Sequence, residues 1–134
     1  MRAVHRLARS ATIALWIAAL LACSPGESST SITQAELADR IGTHSAPLII
    51  DVRTRAEFYS GHIPGAVNIP HDQLRRRLGE LDSHGDREIV VYCEVGGRSK
   101  AAASALRGAG FSTVLRLEGE MKSWRTRRLP CTGC

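Results

Sequence analysis

Apolar runs of strand length and helical periodicities alternate along most of this chain. Leu48-Ile49-Ile50-Asp51-Val52 and Ile89-Val90-Val91-Tyr92 are continuous and rich in β-branched residues. Runs of that kind, without polar alternation, predict strands covered on both faces. Val67 to Ile69 predicts a brief strand and Thr113 to Leu117 a last one. Between them the period changes. Leu37 and Ile41 share a helical face behind a capping box at Thr33-Gln34-Ala35-Glu36. Ile32 and Leu37 stand at staple spacing, and Gly42 ends that helix. Thr54-Arg55-Ala56-Glu57 is a second capping box, opening a short helix that closes near Gly61. His62 to Ala66 is a proline-glycine turn. Leu74, Leu78 and Leu81 mark an amphipathic helix. The alanine-rich stretch Ala101 to Leu106 predicts a longer helix ended by Gly108 to Gly110, and Gly119 to Trp124 a short closing one. Strands alternating with helices predict an α/β fold with a parallel sheet. There is no internal repeat.

The amino terminus departs from this pattern. Met1 to Ser10 carries three arginines, and Ala11 to Ala22 is an apolar run of signal-peptide length, too short for a membrane span. Leu20-Leu21-Ala22-Cys23 then resembles the lipobox of bacterial lipoproteins. That resemblance implies cleavage before Cys23 and a diacylglycerol on its sulfur. Ser24 to Ser31 is rich in Ser, Thr, Gly and Pro and reads as a flexible tether. The expected organisation is a lipoprotein-type signal peptide over 1–22, a tether over 23–31, one domain over 32–129 and a tail over 130–134. The expected place is the periplasmic face of a bacterial cell envelope, lipid-anchored or soluble in the periplasm.

Charge changes the picture little. The formal net charge is +5, from 18 basic and 13 acidic residues; Arg2, Arg6 and Arg9 belong to the leader, and without them the balance is +2. Arg75-Arg76-Arg77 reads as a solvated helix face. With no dense basic stripe and few aromatics, nucleic acid is not an expected partner.

The candidate chemistry sits at Cys93-Glu94-Val95-Gly96-Gly97-Arg98-Ser99, between the second long strand and the alanine-rich helix. In open α/β sheets, ligands bind beyond the carboxyl ends of the strands. Gly96 and Gly97 allow a tight turn with N–H groups pointing inward. The first turn of the helix adds free amides and the positive end of its dipole. Such a ring favours an anion, is expected to lower the Cys93 pKa, and makes Cys93 a candidate nucleophile. Arg98 adds a fixed positive charge aimed at a bound anion. Glu94 is an unusual neighbour for a thiolate, because a nearby negative charge raises a thiol pKa.

Three motifs in order carry a family resemblance. Ile50-Asp51-Val52-Arg53 with Glu57-Phe58 and Gly61 to Pro70 resembles the rhodanese entry motif. Tyr92-Cys93 with Gly96, Arg98 and Ser99 resembles the rhodanese active-site loop, and Leu117-Glu118-Gly119 with Trp124 the closing motif. The closing motif departs at Glu120, where the family often has a second glycine, and this puts the local loop shape in question. The resemblance implies a single-domain rhodanese-like fold of three layers, with a central parallel sheet of about five strands flanked by helices. It implies a thiosulfate sulfurtransferase working through a Cys93 persulfide, with a small sulfur-containing anion as donor, cyanide or a thiol as acceptor, and no cofactor or metal. Asp51 and Arg53 are expected to pair or cap rather than react, and His62 to fix its turn by a hydrogen bond. A monomer is expected. The rival readings are a phosphatase or arsenate reductase on the same fold, and a membrane-tethered module that binds without catalysis. Four residues separate Cys93 from Arg98; the related phosphatases have five, so the loop length favours sulfur.

Cys131-Thr132-Gly133-Cys134 lies outside these motifs. A single Cys-x-x-Cys pair is half a zinc site, and in an oxidising compartment two close thiols form a disulfide. Two readings stay open: an incidental disulfide on a mobile tail, or a dithiol that takes sulfur from Cys93. The leader reading is directly testable. Replacing Cys23 with serine (Cys23→Ser) is expected to abolish lipid attachment, and wild-type protein recovered soluble with no lipid mass by mass spectrometry would refute the lipobox.

Overall fold

The computed structural model describes residues 30–134. The leader expected over 1–22, Cys23 and the tether as far as residue 29 lie outside the described residues. Five strands form one parallel sheet: β1 (Ser31–Ile32), β2 (Leu48–Asp51), β3 (Val67–Asn68), β4 (Ile89–Tyr92) and β5 (Val114–Leu117), in the order β1-β5-β4-β2-β3. Four helices connect or follow them: α1 (Gln34–Gly42), α2 (Arg55–Tyr59), α3 (Gly97–Gly108) and α4 (Glu120–Thr126). The α/β class and the parallel sheet expected from the sequence are present.

Period-two alternation sorts the strand residues onto two faces. Ile50, Ile89, Val91 and Val114 pack with Ala102, Ala103 and Leu106 of α3, and with Leu74 and Leu81. Ile49, Val90, Tyr92, Leu115 and Leu117 pack on the other face with Leu37 of α1 and with Met121 and Trp124 of α4. All of these are buried. The result is three layers, with β4 in the middle of the sheet.

The cap at Thr54 is the full box that the sequence indicates, whereas at Thr33 only the hydroxyl half forms. Thr33 Oγ1 accepts the Glu36 N–H at 3.2 Å. At Thr54 both halves of the box form: its Oγ1 accepts the Glu57 N–H at 3.2 Å, and Glu57 Oε2 accepts the Thr54 N–H at 2.9 Å. Ile32 and Leu37, at staple spacing, share one core cluster.

Three features differ from the expectation. The segment carrying Leu74, Leu78 and Leu81 is not one amphipathic helix but three successive 3-10 turns, at Leu74–Arg76, Leu78–Glu80 and Asp82–His84. Gly79 and the run Ser83-His84-Gly85 are poor helix formers, so propagation fails while the leucines still reach the core. The three-residue spacing of Arg77 and Glu80 suits these turns, with bonds of 2.7 and 2.8 Å. Second, Ser31, read as tether, is in β1, where Ser31 and Ile32 stand opposite Arg116 and Leu117. A two-residue edge strand carries too little periodicity to be seen in sequence. Third, the carboxyl-terminal tail is held rather than loose. Thr132 forms an antiparallel bridge with His62 (N···O 3.0 and 2.9 Å), and Trp124 Nε1 donates to the Pro130 carbonyl at 2.8 Å. Cys131 and Cys134 are disulfide-bonded, with Cα atoms 5.8 Å apart.

The disulfide rests on Gly61, whose φ of +128° is a backbone state for glycine. A Cβ there would run into Cys134 Sγ and lie 3.3 Å from Cys131 Sγ. Gly61→Ala is expected to destabilise the protein by about 1–3 kcal/mol, read from the urea midpoint. Deleting residues 131–134 should remove the steric share of that loss. An equal loss in full-length and truncated chains would show that the tail does not press on Gly61.

Candidate active site

Tyr92 is the last residue of β4 paired with β2, and Cys93 follows it directly. Alternation along the strand puts Cys93 on the face of Ile89 and Val91, beneath α3. The chain then turns through Glu94, Val95 and Gly96 into α3. The turn closes at Gly96, with φ of +116°. Its N–H donates to Cys93 Sγ at 3.1 Å. The first bond of α3 runs from the Lys100 N–H to the Gly96 carbonyl at 3.0 Å. The amides of Gly97, Arg98 and Ser99 therefore precede any acceptor in their own helix. A buried thiol (1% exposed) and the amino end of a 12-residue helix share one concave loop. A thiol held beside free helix amides is an arrangement able to supply a nucleophile next to a bound anion.

Three sets of ion pairs flank it, and a fourth, Arg116–Glu120, lies beneath. Arg98 Nη1 and Nη2 reach Glu57 Oε2 and Oε1 at 2.7 and 2.8 Å. The fork expected on a bound anion is thus committed to a carboxylate. Bonding to Glu57 raises the Arg98 pKa further; burial opposes this, and the charges of Glu57 and of Cys93 add to it. Arg53, 1% exposed, makes a bidentate pair with Asp51 (2.7 and 3.1 Å), donates to the Gly61 carbonyl at 2.7 Å and lies 5.7 Å from the centre of the Tyr92 ring. Asp51 and Arg53 sit beside the loop as a buried structural pair. Glu94 is held by Arg53 (3.4 Å) and by Arg125, so two cations meet its charge. His62 fixes its turn: Nδ1 is 3.0 Å from the Phe58 carbonyl and its ring stacks on Phe58. Ser99 keeps its amide in the cradle, but its buried hydroxyl turns under the loop to Glu120 Oε1 (2.5 Å) and the Gly96 carbonyl (3.1 Å). Val95 stands at the loop tip, 73% exposed. Tyr92 donates no charge to the site. Burial above all, and then Asp51, pushes its phenol pKa far up, while its oxygen accepts the Ile63 N–H at 3.1 Å.

Residues 33–127 match the model of the Rhodanese-like domain. The chain belongs to the rhodanese-like domain family. A relative named Sulfurtransferase, from Allochromatium vinosum, is 34% identical over 99 residues, 74% of this chain and 91% of that protein. The HTH-type transcriptional regulator Rv0324 of Mycobacterium tuberculosis is 43% identical over 107 residues, 78% of this chain. This chain spans only 46% of that regulator. The solved rhodanese-related protein of Thermoplasma volcanium has a TM-score of 0.68 at 31% identity, covering 78% of this chain and 98% of that one. Named sulfurtransferases among the relatives of this rhodanese-like domain support a sulfurtransferase-type enzyme.

Four charged residues stand at the site without a local pattern that places them there: Glu57, Arg116, Glu120 and Arg125. Glu57 carries a cap and a place in the entry motif, Arg116 a place in the last strand, and Arg125 no signal. Glu120 drew notice only as a departure from the closing motif. Its φ of +56° is a left-handed state that glycine adopts without strain.

The Glu57–Arg98 pair has a pH signature. Glu57's carboxyl is held well below its ordinary value of 4.5, chiefly by Arg98, against partial burial and with help from Thr54. A depressed carboxylate contributes stability above its unfolded value and loses it as pH falls. The contribution is therefore whole above about pH 4.5 and withdrawn progressively below it. It is expected to reach about 1 kcal/mol at most, since the Glu57 side chain is 33% exposed. Wild-type protein should lose more stability than Glu57→Gln between about pH 5 and pH 3, by urea midpoints. Parallel losses would remove the pair as the source.

Proposed function

We propose that this rhodanese-like domain is a sulfurtransferase whose nucleophile is Cys93. The supporting observation is the sulfur itself: a free thiol at the end of the central strand, accepting the Gly96 N–H at 3.1 Å at the mouth of α3. The Cys93 thiolate attacks the outer sulfur of thiosulfate. The sulfur–sulfur bond of thiosulfate breaks, sulfite leaves with the electron pair, and Cys93 keeps a persulfide. An acceptor such as cyanide or a thiol then takes the outer sulfur and returns the thiolate. Covalent transfer of this kind divides one hard step into two easier ones.

Each loop element has a part in this reading. The free amides of Gly97, Arg98 and Ser99 face the negative charge of the persulfide and of the departing sulfite. Arg98, tied to Glu57, supplies a charge fixed in place rather than a mobile arm. Cys93 is nearly covered, so the loop has to give when the donor enters, and the glycine pair 96–97 is its pliable part. The spacing of Cys93 and Arg98 favours sulfur over phosphorus. The membrane anchor belongs to the same proposal: a lipid on Cys23 would hold the domain at the periplasmic face of the envelope.

Assaying thiosulfate:cyanide transfer beside aryl-phosphate hydrolysis separates this reading from its rival. After thiosulfate treatment, mass spectrometry should find one added sulfur on the wild-type chain and none on Cys93→Ser, whose fold should be intact. Added sulfur on Cys93→Ser at wild-type yield, or phosphatase activity without sulfur transfer, would overturn the proposal.

A further inference from the structure

Both main-chain polar groups of Cys93 are held by consecutive residues of α4. The Cys93 N–H donates to Glu120 Oε2 at 2.7 Å, and the Met121 N–H donates to the Cys93 carbonyl at 3.0 Å. The other carboxylate oxygen of Glu120 accepts the Ser99 hydroxyl at 2.5 Å and the Arg116 guanidinium at 3.2 Å. Arg116 Nη2 also donates to the Gly96 carbonyl at 3.3 Å. One side chain, 4% exposed, thus spans the active-site loop from beneath, from its first residue to the third residue of α3. The fit above it is close. A Cβ on Gly96 would lie 3.2 Å from Arg116 Nη2 and 3.4 Å from Glu120 Oε1.

Two features make a merely structural origin a poor account. Glu120 stands at φ +56°, a conformation that disfavours any residue with a Cβ. Its buried carboxylate is matched by three donors, two of which, the Cys93 N–H and the Ser99 hydroxyl, belong to the active-site loop and the start of α3. Strained backbone and buried charge together, at one position under a nucleophile, point to a task for the side chain.

We propose that Glu120 is a positioning residue: its carboxylate sets the aperture of the loop and the direction of the Cys93 sulfur. By taking the Cys93 amide, it also keeps that N–H out of the anion cradle, which leaves the cradle to the amides of α3. The catalytic consequence rests on the sulfurtransferase reading above; the positioning itself does not.

Glycine and glutamine variants of the full chain test it. Glu120→Gly removes the carboxylate and relieves the backbone. The Cys93 N–H, the Ser99 hydroxyl and Arg116 lose their acceptor, so its melting temperature is expected to fall despite the relieved backbone, while persulfide formation from thiosulfate, assayed well below that temperature, slows by about tenfold or more, the scale of one lost charge-assisted hydrogen bond. Glu120→Gln keeps one carbonyl for the Cys93 amide and should recover most of that rate. Two readouts need no sulfur donor. The Cys93 amide proton should shift upfield in Glu120→Gly, and the rate of Cys93 alkylation by iodoacetamide should change. A Glu120→Gly chain with unchanged amide shift and alkylation would overturn the positioning role. So would one whose rate falls only in step with its stability. If wild type forms no persulfide, yet both donor-free readouts respond, the sulfurtransferase reading fails and the positioning role stands.

Discussion

A parallel strand that ends in the middle of a sheet leaves backbone groups with no ladder to join. β4 ends at Tyr92 with strands on both sides, and Cys93 is the first residue past that point. Neither β2 nor β5 offers it a partner. The amide and carbonyl of Cys93 are satisfied instead by α4, an element that begins after the next strand. The loop, the helix α3 that follows and the ion pairs around them are all arranged about this one exit. It brings a thiol to the amino end of a 12-residue helix with the backbone already spoken for.

Charge is handled by pairing rather than by exposure. Asp51 and Arg53 lie buried on one side of the loop, Glu120 and Arg116 beneath it, and Glu57 and Arg98 at the start of α3. Among the described residues, no buried side-chain nitrogen or oxygen lacks a hydrogen-bond partner. The Asp51–Arg53 pair, buried on both sides, adds little net stability over apolar packing, but removing one member is strongly destabilising. The value of these pairs here is geometric. Arg53 links the Gly61 turn to Glu94, so the turn on which the tail disulfide rests and the active-site loop share one guanidinium. The disulfide closes too small a loop to restrict the unfolded chain much. The backbone bridge to His62 and the Trp124–Pro130 hydrogen bond hold the tail in place.

The two strong strands, the helix caps and the glycine stops were legible because each is a local pattern. Their positions in the structure follow from period, cap chemistry and turn chemistry within a few residues. The segment from Leu74 to Leu81 shows the limit of that approach. Its leucines have helical spacing and do reach the core, yet the intervening residues propagate only single turns. The edge strand at Ser31 and Ile32 is shorter than any periodic signal, and it exists because β5 has a free edge there.

By itself, then, the sequence determined the α/β alternation, the place of Cys93 at a strand end, and the glycine turn that opens α3. These depend on neighbours in the chain. Tertiary structure alone decided where the charges go. Arg98 meets Glu57 across 41 residues, and the Cys93 amide meets Glu120 across 27. It also turned Glu94 onto Arg53 and Arg125 and pinned the tail against Gly61. A long polar side chain takes whichever partner the packed sheet brings within about 3 Å, and that choice is made only once the layers have closed.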